Sequence, residues 1–224
     1  MPLKTLEEKI AKSQEVLKEA LDRFPGKIAL AWTGGKDSTT TLHLLRDLCG
    51  GQVPIPVLNI DTSVKFKEIY EFRDRLAQEW GLNLIIQRND EALKTIKIAE
   101  NREECCLKLK AEVIANALVK YGWEALIVAL RWDEQQDRTG EAYFVERDHP
   151  PHTRVHPILH FTEMDIWAYI KKHNVPYCSL YRRGYRSLGC EPCTQMGRRE
   201  GPERGGRSAQ KEEMMRRLRD MGYF

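Results

Sequence analysis

Thr33-Gly34-Gly35-Lys36-Asp37-Ser38 stands between an apolar run, KIALAW (27–32), and a helix-forming stretch, TTTLHLLRDL (39–48). Each residue type suits an anion. The two glycines let backbone approach a phosphate closely. The helix start behind them offers unpaired N–H groups and the positive end of its dipole. Lys36 adds a compact charge for phosphate oxygens, and Ser38 and Thr39 add hydroxyl donors. The spacing is not the GxxxxGK[ST] of a Walker loop. A Gly-Gly turn in this strand–helix context is expected to bind phosphate.

Cysteine supplies a second chemistry. Cys105 and Cys106 are adjacent, and Cys190 and Cys193 form a CxxC pair in GYRSLGCEPCT (184–194), where Gly189 and Pro192 favour a tight turn. Neighbouring helix residues point about 100° apart, so the adjacent pair does not face one core easily. Four thiolates suit a metal or an iron–sulfur cluster. Tetrathiolate zinc, which usually uses two CxxC knuckles, and a redox CxxC disulfide stay open beside it. Cys49, at a helix end, reads as core. Asp61 follows a strand and suits a ribose, Mg²⁺ or the cap of the next helix. Arg131 follows a buried strand and suits phosphate or sulfate. His149, His152, His156 and His160 stand among Pro150, Pro151 and Pro157, which break any helix that would align them for a metal; they read as loop or nucleotide contacts.

These residues need a scaffold, and the apolar pattern supplies one. Helical spacing over 3–24 ends at Pro25-Gly26. Strands at 27–32, 55–60, 83–87 and 125–130 alternate with helices at 39–48, about 66–80, 89–99 and 103–121. Continuous apolar strands between helices imply an α/β fold, Rossmann-like, with a mostly parallel sheet covered on both faces. Ligands of such sheets bind at the carboxyl ends of the strands, which gathers 33–38, Asp61 and Arg131 around one crevice. Residues 131–161 read as a long loop over that crevice. A helix at 162–173 starts at Thr162 and Glu163. The stretch 178–207 is irregular and rich in Cys and Arg, and a last helix at 208–221 carries a stripe of Met214, Met215 and Met221 that suits a core or a homodimer face. Three parts follow: an N-terminal helix (1–26), a nucleotide-binding domain (27–177) and a cluster-binding segment with the C-terminal helix (178–224).

A chain of 224 residues buries enough surface to fold without disulfides. Its composition excludes a disordered, collagen-like or coiled-coil protein. No apolar run approaches the roughly 20 residues of a membrane span, and the charged start lacks a signal core. A cytoplasmic protein with reduced cysteines is expected. The basic charge lies at one end: residues 182–224 hold eleven Lys/Arg against six Asp/Glu. An anionic ligand fits this. Nucleic acid is disfavoured, because no aromatic residue is interleaved with the arginines of 198–219.

TGGKDS resembles the SGGKDS pyrophosphate loop (PP-loop) of the adenine nucleotide α-hydrolase-like enzymes, with Thr33 for the first Ser. NREECC (101–106) and GYRSLGCEPCT resemble the segments with which adenylyl-sulfate reductases of sulfate assimilation hold a 4Fe–4S cluster. DTSVKFKEIYEFRDRLAQEWG (61–81), RWDEQQDR (131–138), RVHPILHFTEMDIWAYI (154–170) and the tail 203–224 resemble that superfamily too, in part the small subunit of heterodimeric sulfate adenylyltransferases. The chain is thus identified as a member of the phosphoadenylyl-sulfate (PAPS) and adenylyl-sulfate (APS) reductase family. The resemblance implies a cluster on Cys105, Cys106, Cys190 and Cys193. It implies an adenine nucleotide (APS, PAPS or ATP) on Thr33, Gly34, Gly35, Lys36, Asp37, Ser38 and Asp61, with Arg131, Arg138 and Arg154 on its anions.

Two departures bear on the reaction. The reductases attack sulfur with a cysteine in a C-terminal motif, and no cysteine follows Cys193 here. The loop also keeps the form of enzymes that cleave ATP. The leading expectation is a sulfonucleotide reductase that releases sulfite, its thiol supplied by Cys178 or by a donor such as thioredoxin. The alternative is an adenylyltransferase that makes adenylyl sulfate and pyrophosphate from ATP and sulfate, using Mg²⁺ and a GTPase-type large subunit. ATP-dependent sulfur transfer to RNA ranks third.

Overall fold

The computed structural model describes residues 3–134, 140–197 and 203–206. Four short apolar runs make the parallel centre: β1 (Ile28–Ala31), β2 (Val57–Ile60), β3 (Leu84–Gln87) and β4 (Ala125–Ile127). Two further strands, β5 (Phe144–Asp148) and β6 (Pro151–Val155), complete a sheet of order β3-β2-β1-β4-β6-β5. Every neighbouring pair is parallel except β5 with β6.

Alternate side chains of the central strands serve two cores. Ile28, Leu30, Val57 and Ile127 pack with Leu17 of α1 (Leu6–Arg23), Leu45 of α2 (Lys36–Leu48), Phe72 of α3 (Lys67–Glu79) and Ile166 further along. Ala29, Leu58 and Leu126 point the other way, onto Ala117 and Leu118. Burial on both faces is why these strands read as unbroken apolar runs. The α/β class expected from the sequence is the observed one. The first helix belongs to the main core: Val16, Leu17 and Ala20 are buried in it, and a Thr5–Glu8 capping box fixes the start of α1.

A short α4 (Asp90–Thr95) follows β3. Then α5 (Arg102–Cys106) runs through a π-helical turn, Leu107–Ala111, into α6 (Glu112–Tyr121). Such wide turns re-aim side chains and are frequent at functional sites; here Leu109 and Lys110 join the cysteines around one cavity. The expected cap at Thr162 is present, completed by Asp165, at the head of α7 (Glu163–Lys172).

The loop expected over 131–161 is corrected by the structure, because β5 and β6 form a hairpin there. Arg154 pairs with Leu126 of β4 on one side and with Val145 of β5 on the other. The pattern was hidden because β6 buries polar residues in succession, His152, Thr153 and Arg154, and β5 is only half-covered. Backbone pairing with β4 joins this unit to the sheet, and Val155 and Phe144 at one end tie it to the main core. The helix expected at 208–221, with its methionine stripe, lies outside the described residues. Among the described residues no helix is long and apolar enough to cross a membrane.

Candidate nucleotide crevice and thiol cavity

The glycine loop is built for close approach. Gly34 has φ +79, and a Cβ there would meet Ile69 Cγ2 at 3.1 Å, so only glycine fits. The Ser38 hydroxyl accepts from Thr33 N (3.2 Å), lies 3.1 Å from Thr33 Oγ1 and donates to Gly35 O (3.1 Å). Gly35 is the N-cap of α2 and brings no capping side chain. The first N–H of the helix, Lys36 N, donates instead to the Tyr181 hydroxyl at 2.8 Å.

Beneath the loop lies a buried charge network. Lys36 Nζ meets Asp37 Oδ2 (3.1 Å), the carbonyl of Arg186 (3.2 Å) and the Glu203 carboxylate. Arg131, fully buried, meets Asp37 Oδ1 at 2.9 Å, Asp133 Oδ1 at 3.3 Å and the second oxygen of Glu203. Burial opposes the charge on Lys36, but Asp37, Tyr181 and Glu203 outweigh it and hold the ammonium above its usual range. One carboxylate therefore caps both cations. Neither Lys36 nor Arg131 lines the open crevice; Asp37, Ser38, Tyr181 and the Glu134–Arg204 ion pair do.

That crevice has a volume of about 330 Å³, the size of a small-ligand site. It lies at the switch point of the strand order, between β1 and β4, where open α/β sheets bind ligands. Its floor is apolar (Ala31, Leu58, Ile60, Leu126, Val128), the glycine loop closes one side, and Arg147 and Arg154 of the hairpin stand at another. Asp61 does not join this lining. Its Oδ1 accepts from Ser63 N (2.7 Å) and the Tyr70 hydroxyl (2.8 Å), and α3 begins only at Lys67, so it caps a turn and not that helix. Arg138 lies outside the described residues.

The four expected thiols do come together. Cys105 and Cys106 at the end of α5, and Cys190 and Cys193 of the Gly-Pro turn, line one cavity with Thr62, Arg102 and Lys110. The Cys190 Sγ lies 3.4 Å from Thr62 Oγ1. Burial pushes the Cys105 thiol up, and nearby Cys106 and Cys190 add to this. The cavity, about 10 Å³, holds no more than a water molecule. Among the described residues no three His, Cys, Asp or Glu are placed for a single metal ion. The other two cysteines stand apart: Cys178 is fully buried in the main core with its thiol pushed up by burial, and Cys49 packs against that core. Cys178 is therefore not placed as an attacking thiolate.

Residues 27–196 match the phosphoadenosine phosphosulfate reductase domain. The chain belongs to that family. Among its relatives, sulfate adenylyltransferase subunit 2 of Shewanella amazonensis is 31% identical, over 83% of this chain and 70% of that protein. Similar proteins from Pectobacterium and Zymomonas are 32% and 33% identical, and the chain spans about two thirds of their length, 65% and 67%. The fold of this reductase-domain chain also matches solved structures. The PAPS reductase of Candida auris gives a TM-score of 0.70 at 20% identity, over 86% of this chain and 98% of that one. The FMN adenylyltransferase of Candida glabrata with FMN and an ATP analogue gives 0.69 at 21%, over 93% and 76%.

Several site residues of this family member escaped the sequence. Tyr181 and Glu203 reach the loop from far along the chain, and no local pattern announces them. His152 and His156 were expected as loop or nucleotide contacts. They lie on and beside β6, where with Arg154 they recur at period two, the mark of one strand face, and of the two only His156 lines the crevice. Both are buried, and burial pushes each down to about 4. They are neutral in the fold and take up protons on unfolding at acid pH. Their contribution is thus complete above about pH 6.5 and is lost as the pH falls toward 4. Thermal melts should show Tm dropping by several degrees between about pH 7.5 and pH 5, with a smaller drop in His152→Gln. An unchanged Tm over that range would contradict this.

Proposed function

We propose that this protein is an ATP-dependent adenylyltransferase acting on sulfate, the second subunit of a two-component enzyme. The observation that carries the reading is the intact loop TGGKDS at the head of α2, with Lys36 and Arg131 beneath it. Such a site suits a triphosphate, which offers a pyrophosphate leaving group to two cations and a helix terminus. A sulfate oxygen would form the new bond to the α-phosphorus as the bond to the bridging oxygen breaks. The electron pair leaves with pyrophosphate, onto Lys36, Ser38 and the loop amides. Asp37 is the carboxylate at the loop that Mg²⁺ accompanying ATP would meet. In the resting protein its two oxygens already meet Arg131 (2.9 Å) and Lys36 (3.1 Å), so a cation arriving with ATP would share this carboxylate with them. The names of the curated relatives support the same reading, and imply a large subunit as partner.

Glu203 holds the place a phosphate would take, so phosphate entry requires its carboxylate to leave. Glu203→Gln removes that competing charge and is expected to tighten ATP binding several-fold by calorimetry. Weaker binding would show that Glu203 supports the site rather than blocking it.

The thiol quartet fits a 4Fe–4S cluster by its chemistry: four cysteines around one cavity, with Lys110 and Arg102 beside them to balance a negative centre. Each iron of such a cluster takes one thiolate, so the ligands need not converge on a point as they do around one ion. Cys105, Cys106, Cys190 and Cys193 would hold it, and the cavity would have to widen. When bound, the cluster supplies a fixed charge next to the crevice, with which the cavity shares Thr62 and Cys190.

This quartet also favours the second reading, a sulfonucleotide reductase using an external thiol. One assay separates the two. Adenylyl sulfate with pyrophosphate should yield ATP if the first is right. Sulfite release from adenylyl sulfate and reduced thioredoxin, with no ATP formed, would overturn it.

A further inference from the structure

We propose that Arg147 and Arg154, on the β5–β6 hairpin, form a subsite for the tetrahedral oxyanion that attacks the α-phosphorus. The inference deepens the adenylyl-transfer reading and rests on it. Both arginines line the crevice whose floor is otherwise the apolar face of the sheet. They share one face of the hairpin, since Arg147 pairs with His152 and Arg154 stands two residues further along the same strand. Arg154 is 4% exposed. Its Nε donates to His152 Nε2 at 2.9 Å. The other ring nitrogen, Nδ1, lies 2.7 Å from the Pro150 carbonyl and donates to it, which leaves Nε2 free to accept. This chain of bonds fixes the plane of the Arg154 guanidinium, and His152 acts as a positioning residue.

Arg147 Nη2 donates to both oxygens of Glu141, at 3.1 and 3.2 Å. Its Nε is buried and makes no hydrogen bond among the described residues. Among the described residues, the charges beside this pair are its own two guanidinium groups and the Glu141 carboxylate. His156 adds none, being neutral, and Glu134 with Arg204 cancel. Two like charges, Arg154 buried and Arg147 half-buried, with one carboxylate between them favour a bound anion. Guanidinium forks match tetrahedral oxyanions by geometry. Position agrees: β6 lies beside β4, which lies beside β1 and its glycine loop. An oxyanion at the hairpin would face the nucleotide from the side opposite the thiol cavity, which adjoins β2.

The same chemistry could recognise a phosphate ester on the nucleotide instead, and the test distinguishes the two. Calorimetry on the full chain would titrate inorganic sulfate in the presence of a non-hydrolysable ATP analogue, and separately AMP and adenosine 3′,5′-bisphosphate. Arg147→Gln should weaken sulfate binding roughly tenfold or more, with the ATP analogue within twofold and partial recovery in Arg147→Lys. Sulfate affinity unchanged by Arg147→Gln would overturn the proposal, as would a loss confined to the bisphosphate. Arg147-dependent sulfate binding in a protein that forms no ATP from adenylyl sulfate would support the subsite and overturn the reaction. ATP formation with sulfate binding indifferent to Arg147 would do the reverse.

Discussion

Lys36→Met is expected to lower ATP-forming turnover by about two to three orders of magnitude, the usual cost of losing one charge aimed at a leaving oxyanion. The substitution keeps the apolar stem and removes the ammonium. Lys36 is 1% exposed and touches two carboxylates, so its loss also leaves Asp37 and Glu203 to share Arg131. Breaking a buried pair costs roughly 3–5 kcal/mol, and part of this should appear as a lower Tm. Stability and chemistry can be told apart. The double variant Lys36→Met/Glu203→Gln removes one partner of each sign and should regain much of the Tm, yet stay inactive. Turnover in the single variant within twofold of the parent protein would remove Lys36 from the reaction.

Cys190→Ser is expected to abolish cluster binding and to perturb the nucleotide site as well. This thiol is common to the cavity and the crevice. It sits on Thr62, and its residue pairs through the backbone with Lys65. Anaerobically prepared protein should be brown, absorbing near roughly 400 nm as thiolate-bound iron does, and the variant should be colourless with a lower Tm. Cys49→Ser, away from the cavity, should stay brown. Colourless parent protein carrying stoichiometric zinc would reject the cluster and leave a tetrathiolate zinc site in its place.

Legibility in the sequence followed the range of the interactions. The glycine loop could be read because its geometry is local: Gly34, Gly35 and Ser38 build the turn within six residues. The parallel strands could be read because double-sided burial leaves continuous apolar runs such as ALI at 125–127. The β5–β6 hairpin could not, since FVERD and PHTRV have charged residues where a half-buried strand would alternate, and its stability comes from pairing with β4. The thiol quartet stood out through an unusual adjacency, but its location beside Thr62 depends on the long-range approach of the Cys190 turn to the end of β2. Glu203 was unreadable for the plainest reason: a carboxylate in a basic tail looks like a solvated charge until the chain folds back on Lys36.

On the reading proposed above, that carboxylate, paired with Lys36 and Arg131, would set an entry threshold for ligands. A tethered group competes at an effective concentration in the millimolar range or above, so an incoming anion must outbid it with several charges at once. Free phosphate and other sparsely charged solutes should pass over the resting protein. A polyphosphate that engaged loop, helix end and both cations together would meet the threshold, so on the adenylyl-transfer reading the crevice would screen for valence before it read the shape of the base.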